Sequence, residues 1–251
     1  MLLNFVGNGS CFNVSRGNNC AYYKENNKIL FLDFGENIFE RVKNSNILND
    51  VDEIFVAITH LHTDHIGSLP SFILYNYYEK NIKTQIVGSS FVEKDLKLKK
   101  FLELTGITDV FYDFCTQELN KSFKKLKNCT FCKVAHTEEV GQSYAINMVF
   151  NGNKRVFYSG DTNDIQYVQM VCQLLRPQDE FYCDTCIENI DTGHFHLDKL
   201  ANIFPKQKRN QVYCMHLNDD TDLIEQKVSA YGFNVAKVNY PNKFDEQTFL
   251  K

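Results

Sequence analysis

At 251 residues the chain has room for one α/β domain with a substantial core, and its 43% hydrophobic and 23% charged residues are the mix of a soluble globular protein. A net charge of −4 supplies no global attraction to a long polyanion such as duplex nucleic acid. Nine cysteines are an odd number in a chain too large to need staples, which excludes a complete disulfide framework and fits reduced thiols.

Met1 to Gly7 lacks the basic and long apolar regions of a secretory signal, and no later apolar run approaches ~18 residues. A soluble, cytoplasmic protein with no membrane partner is therefore expected. Short apolar runs bounded by turn residues read as strands at Leu3 to Val6, Cys20 to Tyr23, Ile29 to Asp33 and Ile54 to Thr59. Glu36 to Val42 and Gly67 to Glu79 read as helices, the second carrying Tyr75, Tyr77 and Tyr78, which could stack on a base but fit packing better. Thr84 to Val87 resumes a strand. Val92 to Leu104 is a charged amphipathic helix with Leu96, Lys100 and Leu104 on one stripe and Gly106 as a stop. Its lysines Lys94, Lys97, Lys99 and Lys100 read as a solvated face.

Strands follow at Val110 to Phe114, Thr130 to Ala135, Tyr144 to Phe150 and Arg155 to Ser159, with Asn151-Gly152-Asn153 as the hairpin turn between the last two. Ile165 to Leu175 is a helix ended by Pro177. After it come a strand at Phe181 to Cys186, a helix at Leu197 to Phe204, a strand at Gln211 to Met215, a helix at Asp222 to Tyr231 and a strand at Asn234 to Val238. No repeat, low-complexity tract or linker is legible, so residues 1–251 are read as a single domain. Two halves that each run from strands into helix and strand pairs suggest two sheets packed face to face with helices outside. Cys129 with Cys132 and Cys183 with Cys186 have CxxC spacing, but residues three apart on a strand face opposite ways and chelate poorly, so buried structural thiols are expected.

The chain's seven histidines fall in four clusters. Three of them sit in Thr59-His60-Leu61-His62-Thr63-Asp64-His65, immediately after the apolar run Phe55 to Ile58, where a ligand loop is held by a sheet yet open to solvent. His60 and His62 are two apart and can face one way, while Asp64 and His65, past the bend, can turn toward a second position. His136, Asp161 and His216 also follow apolar runs that read as strands. Neutral imidazole and carboxylate are the usual ligands of zinc and similar ions.

His60, His62, Asp64 and His65 match the HxHxDH signature of the metallo-β-lactamase superfamily, which the chain resembles over most of its length. His136, Asp161 and His216 follow in that family's order, and Asp33 resembles its early strand-end aspartate. The resemblance implies a four-layer αββα sandwich of two mixed β-sheets with outer helices, holding two divalent ions, usually Zn2+, with Mn2+ also suitable. His60, His62 and His136 would hold one ion, Asp64, His65 and His216 the other, and Asp161 would bridge them. The flavodiiron branch replaces the second histidine by glutamate; His62 is kept here, which favours a hydrolase.

His194 and His196 are then left over. His196, followed by a helix and the strand before His216, resembles the general-acid histidine of ribonuclease Z and its phosphodiesterase relatives, with His194 as competitor. Asp184 resembles the carboxylate that orients it. The implied reaction is attack of a metal-bound hydroxide on phosphorus while the histidine protonates the leaving alkoxide, with Asp64 counted among both ligand and catalytic residues. Ribonuclease Z carries a long arm between the positions of His136 and Asp161 that grips transfer RNA; only a plain hairpin stands there in this chain. Small cyclic-nucleotide phosphodiesterases, the phage anti-Pycsar enzymes among them, resemble it more, and Gly7-Asn8-Gly9-Ser10 and Gly17-Asn18-Asn19-Cys20 fit their opening pattern. The expectation is hydrolysis of a small phosphodiester, a cyclic mononucleotide in particular, by a homodimer. A ribonuclease Z-type RNA 3′-processing nuclease is the alternative, and an inactive cyclic-nucleotide-binding sponge a third reading, disfavoured by the intact ligand set.

Overall fold

Strands β1 (Asn4–Gly7), β2 (Cys20–Glu25), β3 (Lys28–Leu32), β4 (Glu53–Ala57), β5 (Thr84–Val87) and β6 (Tyr112–Cys115) lie side by side in chain order in one sheet. A second sheet takes β7 (Leu126–Val134), β8 (Ser143–Phe150), β9 (Arg155–Tyr158), β10 (Glu180–Asp184), β11 (Val212–Met215) and β12 (Asn234–Val235) in the same simple order. The computed structural model from which this architecture is taken describes residues 1–88, 94, 97–115, 119–137, 142–187, 193–218 and 222–239. Each sheet begins with antiparallel pairings, β1 to β3 and β7 to β9, and continues in parallel through its last strands. The halves therefore share a topology although no sequence repeat announces it.

Strand alternation explains the layers. In β3, Leu30 and Leu32 point into the space between the sheets, where they meet Ile146, Met148, Val156 and Tyr182, while Ile29 and Phe31 face the outer helices. Over the first sheet lie α1 (Ile38–Lys43), α3 (Leu69–Lys80) and α4 (Leu98–Leu104), with Phe34, Phe72 and Phe31 at the centre of the packing. Phe34 and Phe72 stack at 4.1 Å between centroids and both are fully buried, so cutting Phe72 to alanine would cost about 3–5 kcal/mol. Over the second sheet lie α6 (Ile165–Leu174), α7 (Leu197–Ile203) and α8 (Asp222–Ala230), which bury Val168, Leu200 and Ile224 against Phe157 and Phe181. The shorter helices α2 (Thr63–Ile66) and α5 (Leu119–Ser122) also belong to the described residues. The order of layers is helix, sheet, sheet, helix, as the strand and helix pattern suggested. Among the described residues no helix is long and apolar enough to cross a membrane.

The charged segment before Gly106 is the clearest departure from the sequence pattern. Lys97 adopts a left-handed conformation, φ 54°, and α4 starts anew after it. Its buried face is Leu98 and Leu102, whereas Leu104 is 79% exposed; Leu96 lies outside the described residues. Lys94, Lys97, Lys99 and Lys100 are exposed, as a solvated face should be. None of the nine cysteines is in a disulfide, and the Cys129/Cys132 pair divides between the inner core and the outer one, as strand alternation requires. Tyr75 packs on Phe39, and Tyr77 and Tyr78 pack on Phe111, so none of the three faces the candidate site described below.

Candidate metal centre

Parallel strands in register end along one edge, and side chains just past those ends share a common space. In this protein that edge gathers His60 after β4, His136 after β7, Asp161 after β9, Asp184 at the end of β10 and His216 after β11. Pairing of Asp184 with Met215, and of Tyr182 with Tyr158, sets the last three at matched heights. The turn after β4 is fixed from two sides. Phe34 donates its N–H to the His65 carbonyl at 2.6 Å, and Gly35 packs so tightly that a Cβ would run into the Asp64 carbonyl oxygen. The turn then enters α2, and His62 takes the N-cap position with extended dihedrals.

Two four-residue sets have mutually close donor atoms: His60, His62, His136 and Asp161, and Asp64, His65, Asp161 and His216, each within 4.8 Å. Asp161 belongs to both. Its Oδ2 lies 3.2 Å from His65 Nε2, 3.3 Å from His216 Nε2, and 3.9 Å from both His60 Nε2 and His136 Nε2. A third set, Asp161, Asp184, His194 and His216, has the same closeness.

Unpaired atoms test whether cations fit. His65 Nε2, His136 Nε2 and Asp161 Oδ1 are buried without a hydrogen-bond partner, an arrangement that costs free energy unless something else satisfies them. The far sides of the rings are already engaged. His65 Nδ1 donates to Asp33 Oδ2 at 3.0 Å and His136 Nδ1 to the Gly193 carbonyl at 2.9 Å, which leaves the inward Nε2 atoms as lone-pair donors. Thr59 gives its hydroxyl proton to Asp33 and receives His60 Nδ1 at 3.0 Å, which leaves His60 Nε2 as a lone-pair atom facing His62 Nδ1 at 3.0 Å. A nitrogen and oxygen donor set of this kind fits zinc or manganese.

The electrostatics fit as well. Burial, aided by His65 and His136, pushes the His60 imidazole well below its ordinary pKa and keeps it neutral as a ligand must be. His62 is lowered by burial and His136. For His216 burial pulls downward, but Asp161 and Asp184 overcome it and push the pKa up to about 10. For Asp161, burial alone would raise the pKa; His216 and His65 instead hold it well below the carboxylate range. Both shifts favour positive charge beside Asp161, which divalent cations would supply.

Behind the ligands, Asp33 serves both sets. In a left-handed conformation, φ 64°, it receives the Thr59 N–H at 2.8 Å, the His65 ring at 3.0 Å and the Tyr158 hydroxyl at 3.1 Å. Asn19 in turn donates to the Tyr158 oxygen at 2.8 Å.

The two surplus histidines part company. Asp184 Oδ2 receives His194 Nδ1 at 2.8 Å, so the carboxylate expected to orient His196 orients His194 instead. His194 stacks on His216 at 4.8 Å and lines the cleft above the metal-ligand sets. His196 is the N-cap of α7, accepting the Asp198 N–H at Nδ1 and donating from Nε2 to the Ile187 carbonyl at 2.9 Å. With both ring nitrogens engaged, it has none left to donate to a substrate, which corrects the pairing expected from sequence. Gly193 makes the difference. At φ 76° it turns His194 toward Asp184, and a Cβ there would meet the Thr137 methyl at 2.5 Å. Burial lowers the His194 pKa, but Asp184 and then Asp161 outweigh it, and the net shift is upward.

The cleft has a volume of about 520 Å³. Its lining combines the polar Asp64, Asp161, His194 and His216 with Cys11, Phe12, Leu61 and Cys186. Phe12 went unread in the sequence. Its signal was a large apolar residue inside the turn-rich stretch from Gly7 to Asn19, with no strand or helix period to bury it.

The family described as anti-Pycsar protein Apyc1 matches residues 1–240 of the chain. The anti-Pycsar protein Apyc1 of Bacillus phage BSP38 is 28% identical over 254 residues, covering 95% of this chain and 97% of that protein. Among solved structures, the metallo-β-lactamase fold protein YhfI from Bacillus subtilis superposes with a TM-score of 0.69 at 14% identity, covering 93% of this chain and 94% of that one. The short form of human tRNase Z gives a TM-score of 0.66 at 15% identity, covering 95% and 97%. At these identities the two structures establish the metallo-β-lactamase fold.

Proposed function

Since the chain belongs to the Apyc1 family of anti-Pycsar proteins, we propose that it is a dinuclear metal-dependent phosphodiesterase that hydrolyses cyclic mononucleotides. The observation that carries this reading is the convergence, in one cleft, of two ligand sets sharing Asp161 with a histidine held by a carboxylate. His60, His62 and His136 would hold one ion, Asp64, His65 and His216 the other, with Asp161 between them. Such ions, when bound, neutralise the phosphodiester charge and bring the pKa of water toward neutrality.

The protein's own contribution is position and proton transfer. Asp184 is fixed by the Thr162 N–H at 3.0 Å and fixes His194 through Nδ1, so Nε2 is the nitrogen left for substrate. Asp184 beside it shifts the His194 pKa upward and so favours the protonated ring, which delivers its proton to the departing ribose oxygen as the ring of the cyclic phosphate opens. Asp184 stabilises the charged imidazole without taking up the proton itself. The proposal includes a homodimer, on resemblance to the family, and sedimentation at micromolar concentration checks it.

Incubation with 3′,5′-cyclic mononucleotides and with a precursor transfer RNA, in zinc or manganese, tests the reading. Linear nucleoside monophosphates are the expected products. Cleavage of the RNA alone would assign the protein to RNA processing, and binding of cyclic nucleotide without turnover would make it a sponge.

A further inference from the structure

The part of the cleft's lining that carries Phe12 is built as deliberately as the metal-ligand sets. Phe12 stands at the tip of the loop between β1 and β2 and is 93% exposed, the most exposed large hydrophobic residue among those described. An exposed aromatic ring on a slack loop would mean little. This loop is not slack.

Arg41 of α1 spans it from beneath, donating from Nη1 to the carbonyls of Val6 and Arg16 and from Nη2 to those of Val14 and Ser15, at 2.7–3.3 Å. Gly9 N–H closes the loop on the Gly17 carbonyl at 2.8 Å. The flank beside Phe12 is tied to the residue after ligand His216: Ser10 N–H and the Asn13 side-chain amide both reach the Leu217 carbonyl at 3.0 Å, and Leu217 N–H returns to the Asn8 carbonyl at 2.8 Å. Asn37 and Asn18 exchange two more hydrogen bonds at the loop's far end. A segment with its backbone groups so engaged keeps its place on the rim, and Phe12 keeps its place relative to His216.

We infer that Phe12 is the stacking platform for the nucleobase, and with Leu61 and Cys11 sets how tightly the substrate is held; this rests on the phosphodiesterase reading. The cleft's lining combines charged groups suited to a cyclic phosphate with Phe12, Leu61 and Cys11, which suit a planar ring. A purine or pyrimidine joined to that phosphate through one ribose has both features. Phe12 touches the part of the substrate that does not react, so its contribution is binding shared by ground state and transition state, which appears in KM and not in kcat.

Steady-state kinetics of Phe12→Ala with zinc-loaded protein test the assignment, using cyclic nucleotides and 1-deoxyribose 3′,5′-cyclic phosphate, which lacks a base. Loss of a base–aromatic stack predicts a KM for cyclic nucleotides raised about 10-fold or more with kcat near wild type. The base-free compound should be turned over alike by wild type and variant, and Phe12→Tyr should restore the wild-type KM. Equal KM values in Phe12→Ala and an active wild type overturn the platform and leave the phosphodiesterase reading intact. A wild type inert toward every cyclic nucleotide overturns both. A Phe12→Ala protein that sediments as a smaller species than wild type, with the same loss on base-free and base-bearing substrates, places Phe12 in a subunit contact and overturns the platform.

Discussion

The sheet of β1 to β6 supplies four donor residues from a single turn, His60, His62, Asp64 and His65, whereas the sheet of β7 to β12 supplies His136, Asp161, Asp184 and His216 one at a time from four separate strand ends. Both sheets have two antiparallel pairings followed by parallel ones, so the same edge is on offer in each. The first set owes its geometry to a local bend and survives any change that leaves that bend intact. The second owes its geometry to strand register, so each of its members depends on hydrogen bonds made far away along the chain. Asp161, the residue common to both metal-ligand sets, comes from the dispersed side.

That contrast is open to direct tests. Asp161→Ala should have the largest effect: turnover abolished and bound metal, measured by plasma emission spectroscopy, falling from the two ions per chain proposed above toward none. His62→Ala should keep the Asp64, His65 and His216 set and lose about one ion. If Asp161→Ala retained both ions, the dispersed side would not be the hinge of the site.

Next in size is the surplus pair. His194→Ala should lower kcat by about 10²–10⁴-fold with metal content unchanged. Because the folded pKa of His194 lies above its ordinary value, its proton is present below that raised pKa and lost as pH rises through it. Wild-type kcat should therefore fall on the alkaline side, and the variant should lack that limb. His196→Ala should keep wild-type kcat and lose about 1 kcal/mol of stability with the α7 cap. A reversal of these two outcomes would return the acid to His196.

Asp33→Asn probes the outer layer that unites the two ligand sources. Asparagine can still accept the Thr59 N–H but not all of the protons from Thr59, His65 and Tyr158, and metal affinity by competitive chelation should drop about 10–100-fold. An unchanged affinity would mean that the bend after β4 orients the histidines without help.

The effect most remote from the chemistry belongs to the opposite end of the second sheet. Asp179 is buried, and although burial alone would raise its pKa, Arg176 and Arg155 pull it down to about 2. A depressed carboxylate pKa contributes stability that is complete above the unfolded value of about 3.9 and lost as pH falls through the folded one. Asp179→Asn should lower stability in urea by about 2 kcal/mol at pH 6, with the difference closing between pH ~4 and ~2 and no effect on turnover. A difference that persisted at pH 2 would rule out the ion pairs as its source.

Much of this protein was legible from residue patterns alone. The layer order followed from two halves that each run from strands into helix and strand pairs, since such halves bury their sheets against each other and keep their helices outside. The donor residues were legible because each follows an apolar, β-branched run, and the HxHxDH turn because its members are consecutive. What stayed hidden depended on contacts between distant segments. The helix before Gly106 took its own phase after the left-handed Lys97, and Leu104 turned outward.

The sequence by itself determined that histidines and aspartates of the kind that hold metal would stand at the ends of packed strands, because residue type and strand end are both local properties. Only the tertiary structure decided between His194 and His196. The two are a single residue apart and chemically identical, and their fates were set by Gly193, by the carboxylate of Asp184 and by the carbonyl of Ile187. The tertiary structure also put Phe12 over the cleft, because the position of a loop tip depends on what pins its base, and Arg41 and Leu217 are remote from it in the chain.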